Sequence, residues 1–460
     1  MNAIQITGVI AVILAIAMVG YFTGRNVHTA GAFTIASGQA STLLVVGIAL
    51  ATMIGGGTTV GTAQTAFSYG LAGWWYTLGS AASFLILALL VSEKLRKSGH
   101  QTMIGMISDE FGTTAELIAA FILCVSTTIS LAAQLVSCQA VFTSIFPSIG
   151  KIPGLIICLI LILICVFFGG SLSAGHAGKL KVLLMTSVII IGGITVIRLN
   201  GLRAIDQTLD HQRYFTLFSR GVGYELGNGL SAALGMCFTQ STISAIISAK
   251  DHKTARKAML ICAAFMPLIG LGGVLIGMYM KTAEPSIAAS QAFSGFVLGR
   301  FPSLLGGIGI GTLFVTLILS SGGTALGCST IFVKNCLKPF TKAEIYQKNE
   351  LIYLRSAMLV ILIIATVAGS GLFGDSVLSF SFLSMSLRSV TLIIPFILAV
   401  WFAGRADRRF VILAEILSPI VVIFFGLSKL INIDEFLLGL AVALVCGLLA
   451  LWNGRQKAES

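Results

Sequence analysis

The chain has 460 residues, of which 56% are hydrophobic and only 10% charged, whereas a water-soluble protein of this size carries about 25% charged residues. So little charge cannot cover a water-facing surface, which excludes a soluble globular protein and makes lipid the solvent. The net charge of +12 would raise nucleic acid as a partner of a soluble protein; here its distribution along the chain explains it, and no nucleic-acid partner is expected.

Apolar stretches long enough to cross a bilayer need about 20 residues. Thirteen are predicted, at 4–23, 41–68, 74–93, 114–144, 152–170, 180–198, 222–248, 258–280, 303–333, 354–373, 377–403, 410–428 and 434–453. The connections between them are short and leave no soluble domain. The first stretch lacks a charged leader and a cleavage site, so it is expected to be a retained helix. Of the 29 Lys and Arg residues, 20 fall in odd-numbered connections and the tail: Arg25, Lys94, Arg96, Lys97, the Lys179–Lys181 pair, the groups at 250–257, 334–355 and 405–409, and Arg455 and Lys457. The opposite side holds eight, among them Lys151 and Lys429. This bias predicts a multi-pass protein of the cell (inner) membrane with its N-terminus outside and its C-terminus cytoplasmic. The nine cysteines are scattered through apolar runs and read as small packing residues. The oligomeric state is not fixed by the sequence.

Two features interrupt the helical pattern. Gly55-Gly56-Gly57-Thr58 lies in the middle of the second stretch, and Gly227-Asn228-Gly229 in the seventh. Each glycine in a helix interior costs about 1 kcal/mol relative to alanine, and a helix broken in lipid frees carbonyls that need partners. Glycines also serve close helix packing. Two breaks five stretches apart, on helices of opposite direction, are the pattern of an inverted repeat with discontinuous helices meeting at the midplane. A single transporter domain over 1–460 follows, with an extra helix at 4–23, repeats at 41–198 and 222–403, and two C-terminal helices at 410–453. In the ninth stretch, Leu317-Ile318-Leu319-Ser320-Ser321-Gly322-Gly323-Thr324 places two hydroxyls where they either ligate a hard cation or bond back to their own helix.

With these segments, the runs Gly61-Thr62-Ala63 and Tyr69-Gly70-Leu71, and the basic loops Lys94–Gly99 and Ala249–Arg256, most of the chain resembles the sodium:solute symporter family. That resemblance implies an all-α, leucine-transporter-like fold and sodium-coupled symport by alternating access. It places a coupling Na+ at the carbonyls of Ala51, Ile54 and Leu317 and the hydroxyls of Ser320 and Ser321. Both hydroxyls are present, and no lysine or arginine replaces them, which favours sodium over proton-coupled or exchange transport. Near Met53 the chain lacks the acidic residue of proline-type relatives and the amide of sugar-type relatives. Ser244-Ala245 replaces a Gln-Arg pair common in the family. The glycine pattern looks closer to the choline-type branch.

For the solute, the candidates are Gly57, Thr58, Gln134, Asn228 and Arg388. Thr127, Ser130, Gln134 and Ser137 form one helical face, read either as solute contacts or as interhelical hydrogen bonds. Arg388, alone in the eleventh stretch, costs about 2.5–3.5 kcal/mol to insert, so it needs a role: pairing with a solute carboxylate, pairing with Glu225 or Glu415, or capping carbonyls. Arg388 points to a carboxylate or amino-acid-like solute, the choline-like pattern to a quaternary amine. No nucleophile–base pair, phosphate loop or metal cluster is apparent, so an enzyme is not expected. The partners expected are a small-molecule solute, Na+ and the lipid bilayer.

Overall fold

The computed structural model describes residues 1–24, 38–100, 102–146, 148–166, 170–370, 376–428 and 434–459. Arg25, Lys429 and the end of the expected 354–373 stretch lie outside these, as do the side chains of Cys165, His176, Lys179, Arg455 and Lys457. The described residues form helices and turns, with one isolated bridge between Ala40 and Ala249.

The chain runs through α1 (Ala3–Gly24), α2 (Thr42–Met53), a π-helical turn (Gly57–Gly61), α3 (Thr62–Tyr69), α4 (Trp75–Ile86) and α5 (Ser92–Ser98). Next come α6 (Met103–Ile145), α7 (Lys151–Val166), α8 (Gly170–Arg198), α9 (Gly201–Thr208) and α10 (His211–Tyr214). Then follow α11 (Val222–Gly235), α12 (Gln240–Ser248), α13 (His252–Ala283), α14 (Ala292–Arg300) and α15 (Ser303–Ile331). The last four are α16 (Ala343–Gly369), α17 (Val377–Trp401), α18 (Arg408–Ser428) and α19 (Glu435–Glu459).

Among the described residues nine helices are long and apolar enough to cross a membrane, or ten if α11 and α12 count as one bent span. That is fewer than the thirteen stretches read from the sequence. One reason is that a broken span leaves short pieces such as Thr42–Met53; another is that Gly57–Ser98 runs as one helical segment through two of the stretches. Long aliphatic and aromatic side chains such as Leu14, Leu89, Phe121, Leu268 and Leu448 face outward, as they do against lipid. The interior is rich in Gly, Ala, Ser and Thr, the small residues that let helices close on one another. Buried hydroxyls are largely satisfied by their own helices: Thr127 donates to the Leu123 carbonyl, Ser137 to Ala133 and Thr391 to Leu387.

The first break falls where the triple glycine predicts it. Helix α2 ends at Met53, Ile54 is extended (φ −77°, ψ 93°), and the chain restarts at the π-helical turn. Each glycine faces a neighbour that a side chain would strike. A Cβ on Gly55 would lie 2.9 Å from Ser320 Oγ, and one on Gly57 2.5 Å from the Tyr76 ring.

The second break is not where it was expected. Gly227, Asn228 and Gly229 lie inside the continuous helix α11, and the chain opens later, at a 3-10 turn over Met236–Phe238 followed by extended Thr239 (φ −77°, ψ 116°). Helices α11 and α12 meet there at 49°. Gly227 and Gly229 are packing residues: a Cβ on the first would run into the Asp434 side chain, and one on the second into the Trp75 ring.

Candidate functional site

Helices α2, α6, α12, α15 and α17 converge between the two breaks. There a cavity of about 520 Å³, including its open mouth, is lined by Thr52, Met53, Tyr76, Thr127, Ser130 and Gln134, by the break residues Met236 and Thr239, and by Thr324, Met385 and Arg388.

Of the residues expected to contact solute, Gln134 and Arg388 line this cavity; Gly57, Thr58 and Asn228 do not. Thr58 closes the first break instead: its Oγ1 accepts from the Gly55 amide at 2.9 Å and lies 3.0 Å from the Gly55 carbonyl. Asn228 faces Tyr224 and keeps a buried amide nitrogen without a hydrogen bond. Gln134 Nε2 donates to Thr324 Oγ1 at 2.9 Å, while its buried Oε1 has no partner. Arg388 is 3% exposed. Its Nη1 donates to Thr239 Oγ1 at 3.0 Å, its Nη2 to Ser384 Oγ at 2.5 Å and its Nε to the Ser384 carbonyl at 3.3 Å. Among the described residues it makes no ion pair. Glu225 pairs with Arg220 instead, and both carboxylate oxygens of Glu415 are buried without a hydrogen bond. Thr239, which the sequence reading did not single out, thus joins the second break to the buried guanidinium.

A second cluster lies deeper, where α2 ends against α15. Ser320 Oγ donates to the Ile54 carbonyl at 2.8 Å and lies 3.3 Å from the Ala51 carbonyl. Ser321 Oγ donates to the Leu317 carbonyl of its own helix at 2.8 Å. The structure therefore gathers Ala51, Ile54 and Ser320 at one point, with Leu317 and Ser321 beside it on α15. Neutral oxygens in this arrangement suit a hard monovalent cation, but a side-chain amine already occupies them. Lys181, on α8, is 0% exposed, and its ammonium donates to the Ala51 carbonyl and, at 2.5 Å, to Ser320 Oγ. By sequence Lys181 counts among the basic residues of a connection; the structure buries it. The hydroxyls themselves are intact, and the lysine amine arrives from a neighbouring helix.

The family model of the sodium:solute symporter family matches residues 33–409. The chain belongs to this family. Na+-coupled solute symport is the activity of the family, with Na+ the coupling ion, and the symporter is a multi-pass membrane transporter, not an enzyme. No curated protein sequence matches it significantly. Among solved structures, a Na+-coupled sialic acid symporter in its substrate-bound, outward-open state superposes with a TM-score of 0.82 at 15% identity, over 99% of this chain and 98% of that one. A nucleobase-cation-symport-1 family transporter, closed around bromovinylhydantoin, superposes with a TM-score of 0.59 at 12% identity, over 92% of this chain and 95% of that one. At these identities the likeness shows the fold, and the symporter has the leucine-transporter-like fold that the sequence resemblance implied.

Proposed function

We propose that this symporter carries a small polar organic solute bearing a carboxylate, amino-acid-like in size, and holds it between the two helix breaks. The observation that carries this reading is Arg388: a buried guanidinium on the cavity wall, bonded to hydroxyls and a carbonyl, with no ion pair among the described residues. Guanidinium groups favour carboxylates because the planar fork offers paired donors. Gln134, with its unpartnered Oε1, supplies an acceptor for a solute N–H or O–H on the facing helix. A quaternary amine fits less well, since it would sit beside an uncompensated positive charge. Alternating access would rock the repeats, 41–198 and 222–403, about this cavity. The charge bias supports insertion in the cell (inner) membrane with the N-terminus outside and the C-terminus cytoplasmic.

The alternative of exchange transport without sodium draws support from Lys181, whose ammonium stands among the expected sodium oxygens.

The test is a thermal-shift panel on purified protein with amino acids, other carboxylates, their alcohol or amide analogues, and choline. A ligand at 100 times its Kd raises stability by about 2.7 kcal/mol. Carboxylate solutes are expected to stabilise the native chain and to lose that effect in Arg388→Gln. Stabilisation by choline that persists in Arg388→Gln would overturn the proposal.

A further inference from the structure

Helix α8 approaches the first break through a glycine. A Cβ on Gly178 would lie 2.5 Å from Ala51 Cβ, so only glycine lets the two helices close here. Lys181 follows three residues later on the same face and is delivered to the broken end of α2. Its buried amine donates to the Ala51 carbonyl and to Ser320 Oγ, and the Ser320 hydroxyl donates in turn to the Ile54 carbonyl at 2.8 Å. An ammonium has three donors and no acceptor, so oxygens that converge on a cation suit it as they suit Na+. Among the described residues no carboxylate forms an ion pair with Lys181. The carbonyl and hydroxyl dipoles are its partners.

We propose that the Lys181 ammonium stands in for Na+ at this site, so that Na+ does not bind at Ala51, Ile54 and Ser320 of the native chain. Two positive charges cannot share these oxygens, and the tethered one is held there by the packing of α8 against α2. The same cation joins three helices, α2, α8 and α15, as a bound ion would. This inference rests on the assignment of Ala51, Ile54 and Ser320 as an ion site and is independent of the solute reading.

The experiment uses full-length purified protein without solute and reads melting temperature against NaCl, KCl and choline chloride at constant ionic strength. Three chains are compared: native, Lys181→Ala and Lys181→Met. The native chain is expected to show no sodium-specific stabilisation that Ser320→Ala removes. Lys181→Ala is expected to gain a sodium-specific stabilisation, with an apparent affinity at least about tenfold tighter than any native response, and to lose it again when Ser320→Ala is added. Equal responses of native and variant chains to Na+, or equal responses of the variants to Na+ and K+, would overturn the proposal. If neither variant folds, the native arm still decides: a sodium-specific shift removed by Ser320→Ala shows Na+ in the site with Lys181 present, and its absence upholds the exclusion. Because no solute is added, failure here is distinct from failure of the Arg388 reading.

Discussion

Gly56 and Ser137 touch with no room between them: a Cβ added to Gly56 would overlap the Ser137 hydroxyl and lie 2.8 Å from Ser137 Cβ. Ser137 belongs to the polar face of α6, and its hydroxyl is already spent on the Ala133 carbonyl at 2.9 Å. Its part is to set how closely the first break sits against α6. The middle glycine of the triplet is therefore required by a neighbour 81 residues away as well as by its own backbone.

Gly56→Ala should accordingly destabilise the protein by about 1–3 kcal/mol, the usual cost of overpacking a tight interior. Ser137→Gly, which removes the colliding atoms, should recover a good part of that loss in the double variant. Melting temperatures of the four chains of this cycle check it. Additive losses would show that Gly56 is needed for backbone reasons alone.

Arg220 and Glu225 form a two-pronged pair at 2.8 and 3.0 Å, with the Glu225 side chain fully buried. Removing one partner of a buried pair strands the other charge, at a cost of about 3–5 kcal/mol. Arg220→Ala should therefore lower the melting temperature strongly, and Glu225→Gln in the same chain should restore most of it. If Arg220→Ala melts like the native chain, the pair does not hold the entry to α11.

Gln134 gives a prediction on binding rather than folding. Its Nε2 is held by Thr324 while its buried Oε1 has no donor. A hydrogen bond formed there only with solute is worth about 1 kcal/mol. Gln134→Met should raise the apparent solute Kd about fivefold while leaving the melting temperature of the solute-free protein nearly unchanged. Isothermal calorimetry against the best solute of the panel measures it. An unchanged Kd would assign Gln134 to helix packing with Thr324.

What could be read from the sequence was whatever has a local cause. Apolar length marks a span, and three glycines in a row break a helix wherever they stand. What could not be read depends on distant partners. Gly227 and Gly229 look like a break but answer to Asp434 and Trp75, while the actual opening at Met236–Thr239 carries no glycine or proline of its own. Lys181 reads as a connection charge beside Lys179. Only the close approach at Gly178, to a residue 127 positions earlier, turns it into the core. Arg388 was legible because a lone charge deep in a span demands an explanation, but its partner Thr239 was not, since a threonine near an unrecognised break draws no attention.

That Arg388–Thr239 contact, 3.0 Å long, makes the last prediction. The hydroxyl orients one side of the guanidinium while Ser384 holds the other, so the fork is pre-aimed before solute arrives. Arg388→Lys keeps the charge but replaces a planar fork with a flexible point charge. It should weaken binding of carboxylate solutes by at least about tenfold, or about 1.4 kcal/mol. Thr239→Val keeps the shape of the break but frees one nitrogen, and should raise KM several-fold with kcat within about twofold, the pattern of lost uniform binding. Uptake into proteoliposomes measures both. Should Arg388→Lys transport as the native chain does, the guanidinium serves to cap the Ser384 turn and the solute carboxylate is held elsewhere.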